Sequence, residues 1–341
     1  MSLIVDIKKR LSNFDLDLQF ETSGGGVFAI LGASGSGKSM ALKCIAGIEK
    51  PDKGYIEVDG KVFYDSKKHI NIKPQKRNVG FLFQNYALFP NMTVEENIKA
   101  GIRNKDINIE DIMKKFFIYD IKNKKPREIS GGEQQRTALA RIFVSSPNIL
   151  LLDEPLSALD YHIKLELEKF ILSSIKEFNG TTLFVSHNRE EVYKMADNIG
   201  ILNRGKFEVI DSKHNIFKSP KTYFSALLVG CENFSRVRLL EDKKIECIDW
   251  NIIINSNNNI NYIGVRANSF FENDNNSQNI NIKCRIKKIV EEIFSYVITV
   301  SPINSESEII WHLQKCNYKK DYYIGMEINL ALNIDNIMFL E

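Results

Sequence analysis

With 341 residues the chain is long for one domain, and 43% hydrophobic and 26% charged residues make it an ordinary soluble globular sequence with a core of normal size. A net charge of +3 is close to balanced, so nothing in the charge argues for nucleic acid or for an anionic membrane surface as a partner. Five cysteines without a CxxC pair (Cys44, Cys231, Cys247, Cys284 and Cys316) point to reduced thiols rather than a disulfide framework or a zinc site.

The start of the chain has no apolar signal-peptide core, and no run of about 18 apolar residues occurs, so no membrane span is expected. Residues 3–7 and 14–20 alternate in strand fashion, Gly24-Gly25-Gly26 reads as a turn, and 27–31 is a continuous apolar run of the kind found in buried parallel strands. A glycine-rich loop follows, then a helix over about 39–48. Thr93 with Glu96 three residues on forms a capping box, and about 95–147 reads as mostly helical, with the short basic run at 122–125 a solvated face. Residues 149–152 and 182–185 are further apolar strands. The alternation of strands and helices to about residue 228 predicts a parallel α/β domain.

After Gly230 the character changes. Asparagine clusters at 257–259 and 273–276 separate β-prone runs at 250–254, 262–266, 296–300, 309–313 and 328–332, which predict a small separate β domain. The asparagine bias is equally compatible with an AT-rich gene and carries no functional weight. No tandem repeat is evident.

The strongest motif is Gly32-Ala33-Ser34-Gly35-Ser36-Gly37-Lys38-Ser39, a match to G-x-x-x-x-G-K-[ST] placed between a buried strand and a helix. Its glycines let backbone N–H groups turn toward phosphate oxygens, and the helix N-terminus adds partial positive charge. In such a loop Lys38 reaches the β- and γ-phosphates of ATP and the Ser39 hydroxyl ligates Mg²⁺. Downstream, the apolar run 149–152 ends in Asp153-Glu154, which places Asp153 on Mg²⁺ and Glu154 on the attacking water. Ser130-Gly131-Gly132-Glu133-Gln134 is an N-capped helix start with two glycines, open enough for a phosphate to approach its N–H groups.

Together these residues resemble the ABC-transporter ATPases, over residues 1 to about 228. The resemblance implies a P-loop NTPase fold, with a RecA-like core and a helical subdomain at about 88–147, followed by a barrel-like β domain at 230–341. It implies that Ser130 to Glu133 is the signature clamping the γ-phosphate, and that Gln84, in Phe81-Leu82-Phe83-Gln84, reports nucleotide and Mg²⁺ occupancy. Leu156-Ser157-Ala158-Leu159-Asp160 resembles the loop that crosses to an opposite subunit, and His187 resembles the histidine that contacts the γ-phosphate and steadies catalysis. The family stacks an aromatic on adenine upstream of the P-loop. Phe14 is the nearby candidate, and its strand-like alternation favours a core position instead. The mechanism so implied is a head-to-tail dimer with ATP between the P-loop of one copy and Ser130 of the other. Hydrolysis then drives a permease docked near Asn85 to Thr93, with Phe89 and Met92 as contacts, at the cytoplasmic face of the membrane.

A cassette followed by roughly 110 β-prone residues resembles bacterial importers for sulfate, molybdate, polyamines, iron and maltose, which also use an extracytoplasmic binding protein. Ile263-Gly264-Val265-Arg266 resembles an element of their β domain, with Ala267 where proline is usual. The run from Lys61 to Phe81 and the segment from Gly230 to Arg236 look molybdate-type, so molybdate or tungstate is expected first and sulfate next. Polyamine, iron or sugar import is the alternative. The short interval between P-loop and signature disfavours chromosome and DNA-repair ATPases, and the single cassette disfavours translation-associated ones. The absence of a fused membrane segment disfavours most exporters. Two further readings stay open: a β domain that binds an oxyanion and shuts transport off, and a non-hydrolysing cassette, which the presence of Lys38, Asp153, Glu154 and His187 together opposes.

Overall fold

The computed structural model describes residues 2–23, 25–103, 107–157, 159–178, 180–256, 260–272, 279–317 and 322–341. Gly24 of the expected turn, Ala158, and the asparagine clusters 257–259 and 273–276 lie outside the described residues. The chain forms two compact units, Met1–Lys213 and His214–Glu341.

The first unit carries two sheets. Its six-stranded sheet runs in the order Lys206–Ser212, Asn198–Asn203, Val27–Leu31, Thr181–Val185, Ile149–Asp153, Val79–Leu82. Every neighbour pair is parallel except the first, a hairpin. All residues of Val27–Leu31, Ile149–Asp153 and Thr181–Val185 are buried, as expected of strands covered on both faces. A second, antiparallel sheet runs Asp15–Ser23, Ser2–Arg10, Lys53–Val58, Lys61–Asp65, Ile70–Asn71. Leu3, Val5, Ile7, Leu16, Leu18 and Phe20 point inward at period two, into the same apolar cluster as Phe28, Ile30, Ala41, Leu42 and Ile45. The strands expected at 3–7 and 14–20 are present, whereas their antiparallel pairing with Lys53–Val58, Lys61–Asp65 and Ile70–Asn71 into a second sheet was not read from the sequence.

Between the strands Val79–Leu82 and Ile149–Asp153 lie helices Val94–Lys99, Ile109–Lys115 and Gly131–Phe143, with 3₁₀ turns at Tyr119–Ile121 and Pro126–Glu128. The Thr93 box is present: the Thr93 N–H donates to Glu96 Oε2 at 2.7 Å, and the Glu96 N–H to Thr93 Oγ1 at 3.2 Å. Thr93→Ala should cost about 1 kcal/mol in a denaturant titration; no change in the midpoint would mean solvent replaces the cap.

One buried cation organises the region behind the P-loop. Arg77, 1% exposed, donates through Nη1 to the carbonyls of Cys44 at 3.1 Å and Ile45 at 2.7 Å. Its Nε donates to Ile72 O at 2.8 Å and its Nη2 to Asn71 Oδ1 at 3.0 Å. The first two acceptors are carbonyls in the last turn of helix Lys38–Ala46, where a cation also suits the macrodipole; Cys44 O accepts from the Gly47 N–H as well, at 3.1 Å. Gly47, at φ 78°, ends that helix with its Cα face against the guanidinium; a Cβ there would lie 2.5 Å from Arg77 Cζ.

The second unit is β-rich and barrel-like, with two five-stranded sheets. One runs Ile252–Asn255, Lys244–Cys247, Asn233–Leu239, Tyr262–Val265, Met338–Leu340; the other runs Phe270–Glu272, Glu327–Leu332, Ile280–Glu291, Ser295–Pro302, Ile309–Gln314. Their inner faces share a core that includes Trp250, Ile263, Ile298 and Trp311. Short helices Lys213–Lys218 and Tyr223–Leu228 lead into it, and Arg266 donates to the carbonyls of Phe217 at 2.6 Å and Val229 at 2.9 Å. Cys44, Cys231, Cys247 and Cys284 are buried and Cys316 is exposed. Burial pushes the thiols of Cys44, Cys247 and Cys284 up to about 12 and that of Cys231 to about 11.

Candidate nucleotide site

A cavity of about 790 Å³ in the first unit is lined by Ser34, Gly35, Gly37, Lys38, Ser39, Gln84, Glu154 and His187, together with Leu11, Ser12, Asn13, Phe14 and Met40. The structure thus brings together eight of the residues singled out by motif, from Ser34 to His187, although they come from four separate segments.

The glycine-rich loop leaves the buried strand Val27–Leu31 and enters helix Lys38–Ala46 through Gly37, whose φ of 108° suits only glycine. Gly32 is required for a different reason: a Cβ there would sit 2.4 Å from Leu202 O. A Cβ at Gly35 would meet nothing within 4 Å, so the loop faces open space on the cavity side. Lys38 folds back on its own loop, Nζ donating to Gly32 O and Ala33 O, each at 2.8 Å. Burial lowers its pKa, while Glu154 and Asp153 pull the other way. Ser36 Oγ is buried with no hydrogen-bond partner. A buried ammonium and an orphan hydroxyl in one glycine-rich loop, with open space at Gly35, fit an anionic group of several oxygens.

Asp153 ends the fully buried strand Ile149–Asp153. Burial raises the pKa of its carboxyl, against the opposing pull of a Ser39 hydrogen bond and Lys38. Glu154 turns out of the sheet at φ 50°, a conformation that costs a non-glycine residue energy and needs support. Backbone contacts hold it: its N–H donates to Val185 O at 2.9 Å, and its carbonyl accepts from Gln135 Nε2 at 3.0 Å, from Ser157 Oγ at 3.0 Å and from the Ser157 N–H at 3.3 Å. Its Oε1 lies 2.9 Å from His187 Nδ1. Gln135 is 1% exposed and was not among the expected site residues. Its position next to the Ser130 motif was the available signal.

Ser130 caps helix Gly131–Phe143. Its N–H donates to Glu133 Oε2 at 2.7 Å, and its Oγ accepts from the Glu133 N–H at 3.3 Å. Burial would raise the pKa of the Glu133 carboxyl, but the bonds from Ser130, with Arg136 and Lys124 nearby, bring it below the ordinary range. A Cβ at Gly131 would meet nothing within 4 Å. Neither Ser130 to Glu133 nor Asp160 lines the P-loop cavity. Asp160 starts helix Tyr161–Glu177 without a side-chain cap bond.

Phe14 corrects the sequence reading. It lies in the turn before strand Asp15–Ser23, is only half-buried, and its ring stands against Gly37 and Gly205 at the rim of the cavity. The alternation Phe14, Leu16, Leu18, Phe20 suggested core. The hairpin register, Arg10 opposite Asp15, starts the strand one residue too late to include Phe14.

A family profile described as ABC transporter matches residues 16–157. The chain is 38% identical over 243 residues to a sulfate/thiosulfate import ATP-binding protein of Mesostigma viride, covering 68% of each chain. It is 37% identical over 223 residues to a spermidine/putrescine import ATP-binding protein of Bacillus cereus, covering 63% of this chain and 66% of that one. It is also 37% identical over 223 residues to a molybdenum import ATP-binding protein of Paramagnetospirillum magneticum, covering 64% and 61%. Among solved structures, a dimeric ATP-binding cassette in a post-hydrolysis state with ADP and Pi superimposes with a TM-score of 0.54 at 25% identity, over 62% of this chain and 99% of that one. A bacterial Atm1-family ABC exporter with ATP bound superimposes with a TM-score of 0.58 at 25% identity, over 67% and 41%. Among the described residues no helix is long and apolar enough to cross a membrane. With a phosphate-shaped loop, an acid pair and a histidine around one cavity, and with these relatives, the chain belongs to the ABC transporter ATPases, as an ATP-binding subunit of the import type.

Proposed function

We propose that residues 1–229 form the ABC ATP-binding domain and hydrolyse ATP, with Glu154 as the base for the attacking water and His187 holding the γ-phosphate and Glu154 in register. The observation that carries this is the single cavity shared by Lys38, Ser39, Gln84, Glu154 and His187. In this reading phosphate oxygens replace the loop carbonyls as partners of Lys38, and Gly32 to Ser39 present N–H groups to the phosphates. Ser39, Asp153 and Gln84 would hold Mg²⁺, which neutralises charge on the phosphate oxygens. Phe14 stacks on adenine; its place on the cavity rim supports this. Phe14→Ala should then remove about 1–3 kcal/mol of binding, raising the ATP Kd roughly five- to hundredfold in a titration with a fluorescent analogue. An unchanged Kd would return Phe14 to a packing role.

Ser130 to Glu133 and Asp160 do not line the chain's own cavity, which supports a head-to-tail pair in which they complete the site of a second copy. Turnover per chain should rise with protein concentration until the pair is saturated; turnover independent of concentration would rule the shared site out. The surface beyond Gln84 suits a permease. A groove of about 430 Å³ is lined by Ile48, Phe81, Phe83, Ala87, Phe89 and Arg141, with Phe89 47% and Met92 38% exposed. The chain would thus work at the cytoplasmic face, energising a permease served by an extracytoplasmic binding protein.

For the transported solute we propose an oxyanion, molybdate or tungstate first and sulfate second, supported by the sequence texture and by relatives named for sulfate/thiosulfate and molybdenum import. The polyamine reading has comparable support from a relative named for spermidine/putrescine. Reconstitution with its membrane subunits and binding protein separates them: molybdate or sulfate should stimulate ATP hydrolysis and spermidine should not, and the reverse would favour the polyamine. For the region 230–341 we propose a regulatory or accessory role. A cavity of about 530 Å³ in the second unit, lined in part by Lys218, Lys221, Arg266 and Ser269, favours oxyanion sensing there. Calorimetry of the full chain with molybdate should show a site that persists when Lys38→Ala abolishes nucleotide binding, and flat heats at millimolar anion would dismiss it.

A further inference from the structure

His187 is a poor candidate for being held by its own packing, since its side chain is 66% exposed. Its direction must come from the backbone on either side and from Glu154. That backbone is fixed by a buried polar cluster outside the nucleotide cavity. Ser186, 2% exposed, donates through Oγ to Glu191 Oε2 at 2.7 Å and accepts from the Asn188 N–H at 3.0 Å, so both capacities of the hydroxyl are used. The residues before and after His187 are thereby locked to one carboxylate. Glu191, 5% exposed, is in turn paired through Oε1 with Lys164 Nζ at 2.5 Å.

A buried carboxylate is retained only if its charge is met, and losing one partner leaves the other uncompensated. Lys164 lies in the first turn of helix Tyr161–Glu177 and its N–H donates to Asp160 O at 2.8 Å. A second pair, Glu168 Oε1 with Lys194 Nζ at 3.1 Å, joins the same helix to Arg189–Met195, with the charges exchanged between the two helices. The opposite polarity of the two pairs sets the helix that begins at Asp160 in one register against the helix that follows His187.

We propose, on the footing that His187 and Glu154 act in hydrolysis, that Glu191 held by Lys164 is a positioning residue for His187 and ties it to the chain segment that starts at Asp160. Neither Glu191 nor Lys164 lines the nucleotide cavity, so the step the pair serves is turnover and not binding. A displacement of His187 by a fraction of an ångström alters its alignment with Glu154 and with the phosphate, which is where rate is lost.

The test uses the purified full-length chain. Turnover at saturating ATP and the ATP Kd are measured for Glu191→Ala, Ser186→Ala, Lys164→Met, Lys164→Arg, His187→Ala and the double variant His187→Ala/Glu191→Ala. Expected is a loss in turnover of roughly 10- to 100-fold for Glu191→Ala and Lys164→Met, with Kd unchanged within about twofold and Lys164→Arg near native. In the chain already carrying His187→Ala, adding Glu191→Ala should cost nothing more, because the two act through one group. Native turnover in Glu191→Ala, or a loss that multiplies with that of His187→Ala, overturns the proposal. Ser186→Ala deletes only the hydroxyl bridge and carries the same expectation, so the test stands even if Glu191→Ala does not fold. If His187→Ala itself hydrolyses at the native rate, the reading of the hydrolytic pair fails instead, and the two failures are told apart.

Discussion

Glu154→Gln should lower turnover by about 10²–10⁴-fold, the usual weight of a general base, while leaving ATP affinity within a few fold of native. The substitution keeps the shape of the side chain and its capacity to bond His187 Nδ1, now 2.9 Å from Glu154 Oε1. It also leaves the contacts that support the φ of 50°, because the bonds from Glu154 N to Val185 O and from Gln135 Nε2 to Glu154 O are made by backbone atoms of residue 154. What it removes is the basicity of the carboxylate. Phosphate release at saturating ATP measures the loss, and a titration with a fluorescent ATP analogue measures binding. In size-exclusion chromatography with ATP the variant should run as a dimer, since ATP is bound but not consumed. Turnover within threefold of native would remove Glu154 from the role of base and leave the cavity without an evident one.

The second large effect concerns stability. Arg77→Met should destabilise the first unit by about 3–5 kcal/mol, because the carbonyls of Ile45 and Ile72 lose their donor, that of Cys44 keeps only the Gly47 N–H, and a cavity is left against Phe63. Burial pushes the guanidinium down to about 10, still well above neutrality, so the group is a cation under ordinary conditions and no pH dependence is expected between 6 and 8. Arg77→Lys should recover only part of the loss, since one ammonium cannot reach the carbonyls of Cys44, Ile45 and Ile72 together. Denaturant unfolding read by far-ultraviolet circular dichroism decides the matter. A loss below 1 kcal/mol for Arg77→Met would mean that water enters and replaces the guanidinium.

The nucleotide loop was legible in the sequence because each of its positions answers a local demand: Gly37 for a left-handed backbone, Gly32 for the closeness of Leu202 O, Lys38 and Ser39 for charge and hydroxyl at a helix start. The helix caps at Thr93 and Ser130 were legible for the same reason, being complete within four residues. What stayed hidden depends on residues far apart in the chain. Gln135 supports Glu154 from another element, Arg77 closes a helix that ends some thirty residues earlier, and Lys164 meets Glu191 across two helices. Phe14 was misread because period two extends one residue ahead of the strand, and only the register of the hairpin shows where the strand starts. Strand Ile280–Glu291 was missed although Ile282, Cys284 and Ile286 alternate inward, since its start is embedded in asparagine-rich sequence that reads as turn. Composition changes after Gly230, whereas the second compact unit begins at His214; the Arg266 bonds to Phe217 and Val229 explain why those helices join it.

The cysteines have a practical consequence. Cys316 lies at the surface, while Cys44 sits in the helix that carries Lys38 and Cys247 and Cys284 sit in the β core of the second unit. A maleimide offered to the native chain should therefore attach once, at Cys316, and give a single-site handle for fluorophores without any engineered residue. With Cys316 blocked, each remaining thiol becomes reactive only when its own surroundings open. Peptide mapping of the later adducts would time the opening of the nucleotide-binding unit at Cys44 and of the β unit at Cys247 and Cys284 in one sample, so that the order in which the two come apart can be read directly from the label.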